Sequence, residues 1–367
     1  MNKRLLGPLT AGMAVLFAAS ACGSSSTPAA SSGSPASSAG NSSSASAGAG
    51  TSLASTAGSS SVAASSSAVA SSAPGGASSP AAGGDPASVK LDGAKFTVSS
   101  KDFTESILLG KITGDILKAH GAEVTDKTNL KGSVTTRTAL TSGEVDMYWE
   151  YTGTAWITYQ KNTKPIADPA AQFKAVKDAD AKNGIAWLNP TAMNDTYAMA
   201  IRSDAGGALD NVKTLADLAK LDPKDATFCV ESEFASRDDG LPGMLKAYGI
   251  NSPASSQKTM DTGVIYNETQ KGQACNFGEV FATDGRIAAL KLRVLEDNLH
   301  FFPNYNAALT LKQAMLDKYP GLATILNPVA AKLDNDTMTK LNAKVDADGE
   351  DPQDVADAWV KEQGFVS

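Results

Sequence analysis

The segment from residue 23 to about residue 88 constrains most strongly what this chain can fold into. It consists almost entirely of Ser, Ala, Gly, Pro and Thr, with no apolar periodicity and almost no charge. Such a composition cannot bury enough apolar surface to offset its conformational entropy, so we predict a disordered tether over residues 22–88. A flexible chain of this length has an r.m.s. span of about 45 Å. A packed core is therefore expected only from about Leu91 onward.

The N-terminus has the pattern of an export signal. Lys3 and Arg4 precede an apolar stretch over residues 5–19, and small residues follow it immediately before Cys22. We predict a signal peptide over residues 1–21. A cysteine in this position is similar to a bacterial lipobox, so Cys22 is expected to be acylated and to anchor the protein on the extracytoplasmic face of the membrane. The alternative is an ordinary secretory signal in which the cysteine is incidental.

The remaining cysteines are Cys229 and Cys275, and two readings of them stay open. An even pair in an exported chain indicates one disulfide, because such proteins meet an oxidising compartment. Two buried free thiols are the alternative. A metal site would need nearby histidines, and the chain has only His120 and His300. We predict neither a metal nor a cofactor.

Charge and motif content argue against two other classes of function. The net charge of -7 gives no general basic field for nucleic acid, and no local basic stripe compensates for it. The sequence has no nucleotide-binding glycine motif and no nucleophile beside either histidine. Carboxylate pairs such as Glu231 with Glu233 and Asp238 with Asp239 are explained by helix capping and surface charge. We therefore predict neither nucleic-acid binding nor an enzyme.

From Leu91 onward, short β-rich runs alternate with amphipathic stretches, a rhythm typical of an α/β fold. Asp102 and Glu105 have the spacing of a capping box for the first helix, and residues from 312 onward are expected to be mostly helical. The predicted strands cover residues 96–99, 146–151, 197–202, 226–231, 277–282 and 293–295.

Six runs in order resemble the substrate-binding proteins of osmoprotectant ABC importers, the glycine betaine, choline and carnitine family. They read FTVSSKDFTESILLGKI, GEVDMYWEYTGTAW, NDTYAMAI, SRDDGLPGM, TDGRI and FFPNYNAA, and the similarity spans nearly all of residues 95–365. The resemblance implies a type II periplasmic-binding-protein fold, in which two α/β lobes are joined by two crossovers and hold ligand in a cleft. We expect lobe 1 over residues 91–198 and 306–367, and lobe 2 over residues 199–305.

The same resemblance implies a monomeric extracytoplasmic receptor that delivers a quaternary-ammonium solute to separate permease and ATPase subunits. A choline-selective receptor and a ligand-sensing lipoprotein are the alternatives. A trimethylammonium group is cationic but donates no strong hydrogen bond, so aromatic faces suit it best. The family places an aromatic cage at the positions of Tyr151, Tyr197, Phe281 and Tyr305, and Asp195 could face the cation.

A betaine also carries a carboxylate, for which the resemblance assigns Lys101, Thr154 and Arg237. Lys101 precedes a predicted helix N-terminus, where backbone N–H groups favour an anion. Arg237 lies in a loop punctuated by Gly and Pro, from which a guanidinium can bind a carboxylate through two hydrogen bonds. Two desolvated cations would be left unmatched by choline, so we expect a betaine-type ligand.

Overall fold

The computed structural model describes residues 84–366. The predicted signal peptide, Cys22 and the predicted tether up to residue 83 lie outside this range. Within it, residues 86–88 form a short 3-10 helix at which Asp85 accepts a hydrogen bond from the backbone of Ala87. None of the helices described is both long enough and apolar enough to cross a membrane.

Within residues 84–366, ten strands form two five-stranded sheets. The strands are β1 (Lys95–Lys101), β2 (Glu123–Leu130), β3 (Met147–Tyr151), β4 (Ile185–Pro190), β5 (Tyr197–Arg202), β6 (Phe228–Val230), β7 (Gln257–Thr259), β8 (Phe277–Phe281), β9 (Leu292–Val294) and β10 (Ala307–Lys312). The first sheet has the order β2-β1-β3-β10-β4 and the second the order β7-β6-β8-β5-β9. Strand β10 is antiparallel to both its neighbours, and so is β5. In chain order β5 follows β4 of the first sheet, and β10 follows β9 of the second, so the chain crosses between the sheets twice.

Helices cover the sheets. They are α1 (Thr104–Ala119), α2 (Ser133–Ser142), α3 (Thr152–Thr154), α4 (Pro169–Ala181), α5 (Leu241–Tyr248), α6 (Thr262–Lys271), α7 (Arg286–Ala289), α8 (Gln313–Lys318), α9 (Gly321–Ala330), α10 (Asn335–Asp346) and α11 (Pro352–Glu362). A π-helical turn, Ala155–Tyr159, continues α3. Further 3-10 helices are Gly207–Asn211, Leu215–Lys220 and Ala254–Ser256.

Each sheet has its own hydrophobic core. In the first, Leu108 and Ile112 recur on one face of α1 and are buried together with Phe96 of β1 and Trp359 of α11. The second core forms around Phe228, Phe277 and Met199, one from each of three neighbouring strands, with Phe234 and Met244. The apolar faces of the helices are buried against the sheet on which each helix packs. Contacts between the two sheets are therefore formed mainly by polar and aromatic side chains.

The alternation of strand and helix predicted the fold class correctly, and all six predicted strands overlap observed ones. Four strands, β2, β4, β7 and β10, escaped prediction. Strand β2 reads EVTDKTNL and is largely solvent-exposed, so it lacks the apolar alternation that marks a strand. The segment after residue 312 is helical as predicted.

The predicted capping box at the start of α1 is wrong. The N-cap residue is Phe103, and it makes no side-chain capping bond. Asp102 Oδ1 instead accepts a hydrogen bond from the backbone N–H of Gly132, at 3.1 Å. Glu105 is buried and turns toward partners elsewhere in the fold. Tertiary hydrogen bonds have replaced the local ones that the spacing allowed.

A disulfide joins Cys229 in β6 to Cys275, which lies between α6 and β8. The prediction of a cross-link is thus confirmed, and the alternative of two free thiols is wrong. Both residues are buried against Ile265 of α6. The bond ties the middle of the second sheet to the chain segment that leads into β8.

Candidate functional site

A cavity lies where the strand ends of the two sheets face each other. Lys101 and Tyr151 end β1 and β3, and Phe281 ends β8, while Tyr197 begins the reversed strand β5. A reversed strand starts at the edge where its neighbours end, so Tyr197 pairs directly with Phe281. The residues that line the cavity are Lys101, Asp102, Phe103, Gly132, Ser133, Tyr151, Thr154, Asp195, Tyr197, Glu231, Glu233, Thr262, Glu279, Phe281 and Tyr305.

Five aromatic rings form a continuous arc around this cavity. Ring centroids are separated by 5.2 Å between Tyr305 and Tyr197, and by 5.4 Å between Tyr197 and Phe281. The arc continues from Phe281 to Phe103 at 5.0 Å and from Phe103 to Tyr151 at 5.6 Å. The structure thus brings together the four aromatic residues singled out in the sequence. Phe103 was missed, although an aromatic residue two positions after the end of β1 was a usable signal.

Lys101 lies in the cavity wall with its charge already compensated. Its Nζ donates to Glu150 Oε1 at 2.6 Å, and both side chains are almost fully buried. Glu150 also accepts hydrogen bonds from the hydroxyls of Tyr148 and Tyr159. The ammonium group has three N–H donors, so two remain for other partners. The Nζ lies 5.0 Å from the centroid of the Tyr151 ring.

Arg237 is likewise paired. Its Nε and Nη2 donate to the two carboxylate oxygens of Asp239, at 2.7 and 2.5 Å. Nη1 donates to Glu233 Oε1 at 2.7 Å and lies 3.5 Å from Thr154 Oγ1. The Tyr305 hydroxyl donates to Asp239 Oδ2 at 2.6 Å. The reading of Asp239 as a surface charge is therefore wrong, because its carboxylate is buried and orients both an arginine and a cavity tyrosine.

These pairings overturn one step of the sequence argument. The sequence predicts that choline leaves Lys101 and Arg237 as unmatched cations, and that a betaine is favoured for that reason. Both cations have acidic partners within the protein, Glu150 for the first and Asp239 with Glu233 for the second. A preference for betaine therefore needs other support.

Asp195 shares a hydroxyl with a second acid behind the aromatic arc. Thr283 Oγ1 lies 2.6 Å from Asp195 Oδ1 and 2.5 Å from Glu105 Oε2. One hydroxyl has one proton to donate, so both contacts are satisfied only when one of the two carboxyls is protonated. Burial raises the pKa of Glu105 to about 7, although hydrogen bonds from Thr283 and Tyr151 oppose the rise. Burial and then the charge of Glu105 raise the pKa of Asp195 well above its usual range.

The wall built by β6 and β8 is acidic. Burial raises the pKa of Glu279 to about 8, against a hydrogen bond from the Glu231 backbone to its Oε2 at 2.7 Å. Among residues 84–366, no basic side chain lies within 4.0 Å of the carboxylate of Glu279 or Glu231. An isolated glutamate in the apolar run FGEVF was the signal for Glu279 in the sequence. The cavity therefore combines aromatic faces with carboxyl groups that lack a cationic partner.

The described residues contain no group of three His, Cys, Asp or Glu side chains placed to hold a metal ion. The rings of this cavity offer faces to a cation without strong hydrogen-bond donors, and such a cation would favour the ionised form of the buried acids.

Comparison with known proteins agrees with this chemistry. Residues 94–362 match the family described as the substrate binding domain of ABC-type glycine betaine transport system. The chain is 37% identical over 277 residues to a glycine-betaine-binding protein of Pseudomonas aeruginosa, covering 73% of this chain and 88% of that one. It is 34% identical to the glycine betaine-binding protein YehZ of Escherichia coli, covering 73% and 90%. A solved structure of a glycine betaine/carnitine/choline ABC transporter protein is 26% identical, with a TM-score of 0.60 and coverage of 74% and 99%.

Proposed function

Because the chain belongs to the family of substrate-binding domains of ABC-type glycine betaine transport systems, we propose that its cavity captures a betaine-type quaternary-ammonium solute for import. The predicted two-lobe type II periplasmic-binding-protein fold is confirmed by the same family and by the likeness to solved relatives. The family is one of receptors rather than of enzymes. Delivery to the permease of an ABC importer follows from membership.

The five-ring arc is the observation that carries the proposed ligand class. A trimethylammonium group within about 6 Å of a ring centroid gains about 0.5 to 2 kcal/mol per face once water is excluded. We assign this role to Tyr151, Tyr197, Phe281 and Tyr305, with Phe103 added from the structure. Asp195 is buried beside the arc and shares one proton with Glu105 through Thr283, so this pair would supply one negative charge to the same cation.

For the carboxylate of the ligand we propose Lys101, Thr154 and Arg237. Lys101 supports this role because only one of its three N–H groups is used by Glu150. The Thr154 hydroxyl lies next to Arg237 Nη1, so both can address one ligand oxygen. The closeness of relatives that bind glycine betaine supports a ligand with a carboxylate.

We propose that the protein is held outside the cell membrane by a lipid on Cys22, through the tether over residues 22–88, and that it acts as a monomer. The lobes we propose are residues 91–198 with 306–367 and residues 199–305, with crossovers near Tyr197 and Tyr305. Separate permease and ATPase subunits complete the importer, and no catalytic step is assigned to this chain.

A choline-selective receptor is the second candidate. One observation favours it, namely that Lys101 and Arg237 are both neutralised by protein carboxylates. Choline would then bind without leaving a buried cation unmatched, and its hydroxyl could donate to the acidic wall at Glu279.

Isothermal titration calorimetry of the purified protein with glycine betaine, carnitine, choline and proline tests the proposal. We expect saturable binding of glycine betaine and at least tenfold weaker binding in Tyr305→Ala, since that change removes one cage face and frees Asp239. Proline, which lacks the methylated ammonium, is the control ligand. Binding of choline alone would select the second candidate, and no binding by a folded sample would overturn both.

A further inference from the structure

Glu233 stands at the boundary between the ligand cavity and a second, outer cavity. Together with Gly132 and Ser133 it lines both spaces, whereas Thr158 and Ser236 line only the outer one. Its side chain comes from the chain that follows β6, while Gly132 and Ser133 lie at the start of α2 beside the first sheet. Glu233 therefore bridges the two halves of the cleft.

Two strong donors fix the Glu233 carboxylate in this position. Oε1 accepts from Arg237 Nη1 at 2.7 Å, and Oε2 accepts from the backbone N–H of Ser133 at 2.8 Å. Burial alone would raise the pKa of Glu233, but the charges of Arg237 and Lys101 reverse the effect and leave it lowered. The side chain is therefore a carboxylate anion at neutral pH.

The same cations are those that the proposed function assigns to the ligand. Arg237 is in direct contact with Glu233, and Lys101 is close enough to stabilise its charge. The Glu233 carboxylate thus lies at the cationic groups that a ligand carboxylate would otherwise contact. This arrangement also removes the unmatched cations that a ligand without a carboxylate would otherwise leave behind.

We propose that Glu233 is a specificity-determining residue, whose carboxylate fills the anion position when the ligand brings none and is displaced toward the outer cavity when the ligand brings its own. The inference rests on the proposed function, because it assumes a quaternary-ammonium ligand in the aromatic arc. Two carboxylates cannot share the contacts to Arg237 and Ser133 without mutual repulsion, so one has to leave. The outer cavity, whose lining includes the exposed residues Ser236 and Asp238, could accommodate the displaced Glu233 side chain. One site then accepts both choline and glycine betaine.

The first test compares Glu233→Gln with Asp238→Asn by calorimetry. Both variants remove one negative charge from the same loop, but Asp238 is exposed. In Glu233→Gln we expect the ratio of glycine betaine affinity to choline affinity to rise at least tenfold, because the competing anion is gone. In Asp238→Asn we expect the ratio to change less than twofold. Equal changes for both ligands in Glu233→Gln would overturn the proposal.

The second test is chemical rescue in Glu233→Ala. Choline affinity should fall in this variant and recover when acetate is added, because acetate fills the vacated anion position. In the unmodified protein acetate should leave choline affinity unchanged. If acetate has no effect on the variant while its unfolding temperature shows it to be folded, the anion position does not exist. Failure of the unmodified protein to bind either ligand would instead count against the proposed function.

Discussion

Tyr197 contacts two of the other four rings in the aromatic arc, Tyr305 and Phe281. Its ring centroid lies 4.8 Å from that of Phe234, in addition to its contacts with Tyr305 and Phe281, and the Arg237 guanidinium lies 5.5 Å from the ring centroid. Its hydroxyl makes no hydrogen bond with any residue in the 84–366 range. We therefore expect Tyr197 to contribute to ligand binding through its ring face rather than through its hydroxyl.

Replacing Tyr197 with Phe and with Ala separates these contributions. We expect Tyr197→Phe to bind glycine betaine within about twofold of the original affinity, since the ring is kept. Tyr197→Ala should bind about tenfold more weakly, because it loses one cation–π face. Calorimetry on both variants checks this. A loss in Tyr197→Phe as large as in Tyr197→Ala would show that the hydroxyl contacts the ligand.

The shared proton of Glu105 and Asp195 makes stability depend on pH. The folded pKa of Glu105, about 7, lies above its ordinary value of 4.5, so the folded state holds a proton that the unfolded state releases. The free energy of unfolding should therefore decrease as pH rises from about 4.5 to about 7. Glu105→Gln cannot titrate and should show a flatter dependence in urea unfolding over this window. Parallel curves for the two proteins would contradict the shared-proton interpretation.

At the scale of elements, strand ends decide where the site lies. The acidic wall depends on β6, which is only three residues long and carries both Cys229 and the start of the Glu231 loop. The disulfide fixes this short strand to the segment before β8, from which Glu279 projects. A short strand held by a cross-link can thus support a precisely placed loop.

Removing the disulfide should lower the free energy of unfolding strongly and should change the affinity for glycine betaine only slightly. On the chain-entropy account, a loop of 46 residues contributes about 4 kcal/mol, so Cys229→Ser with Cys275→Ser should unfold at markedly lower denaturant concentration. We expect glycine betaine affinity to change less than threefold, because neither sulfur lines the cavity. Denaturant titration and calorimetry of the double variant measure both effects. A larger loss of affinity would show that β6 shifts without its cross-link.

At the scale of the whole molecule, the two halves of the described structure touch around the cavity. The backbone N–H of Ser133 donates to the Glu233 carboxylate in one contact, and the side chains of Thr283 and Glu105 form another. Gly285, after β8, is so close to α10 that an added Cβ would lie 2.5 Å from the Cβ of Ala343. These contacts describe a closed arrangement, which a bound ligand would favour over an open one.

Gly285→Ala should hinder this closure. We expect at least tenfold weaker binding of glycine betaine and a larger radius of gyration in small-angle scattering with ligand present, since backbone atoms of Ala343 cannot move aside easily. Gly114→Ala is the matched control, because its added Cβ would make only an ordinary 3.6 Å contact with Val124. Unchanged affinity in Gly285→Ala would show that closure does not require this approach.

From the sequence, the fold class could be predicted and a Cys229–Cys275 cross-link was one of two readings, while the family resemblance supplied four of the five rings in the arc. Apolar periodicity distinguishes strands from helices, and Gly, Pro and Asp indicate where strands end. Residues next to these strand ends could therefore be placed at one edge of a sheet. The family resemblance assigned Tyr151, Tyr197, Phe281 and Tyr305 to one aromatic cage.

The pairing of the charged side chains, by contrast, became visible only in the folded protein. Lys101 pairs with Glu150, which lies 49 positions further along the chain, and Arg237 pairs with Asp239, two positions further. No local pattern in the sequence distinguishes such pairs from surface charges. Glu105 has the spacing of a helix cap but turns inward to Thr283, 178 residues away. Electrostatic partnership depends on distance in space and on the exclusion of water, and both of these are set by how the two sheets face each other.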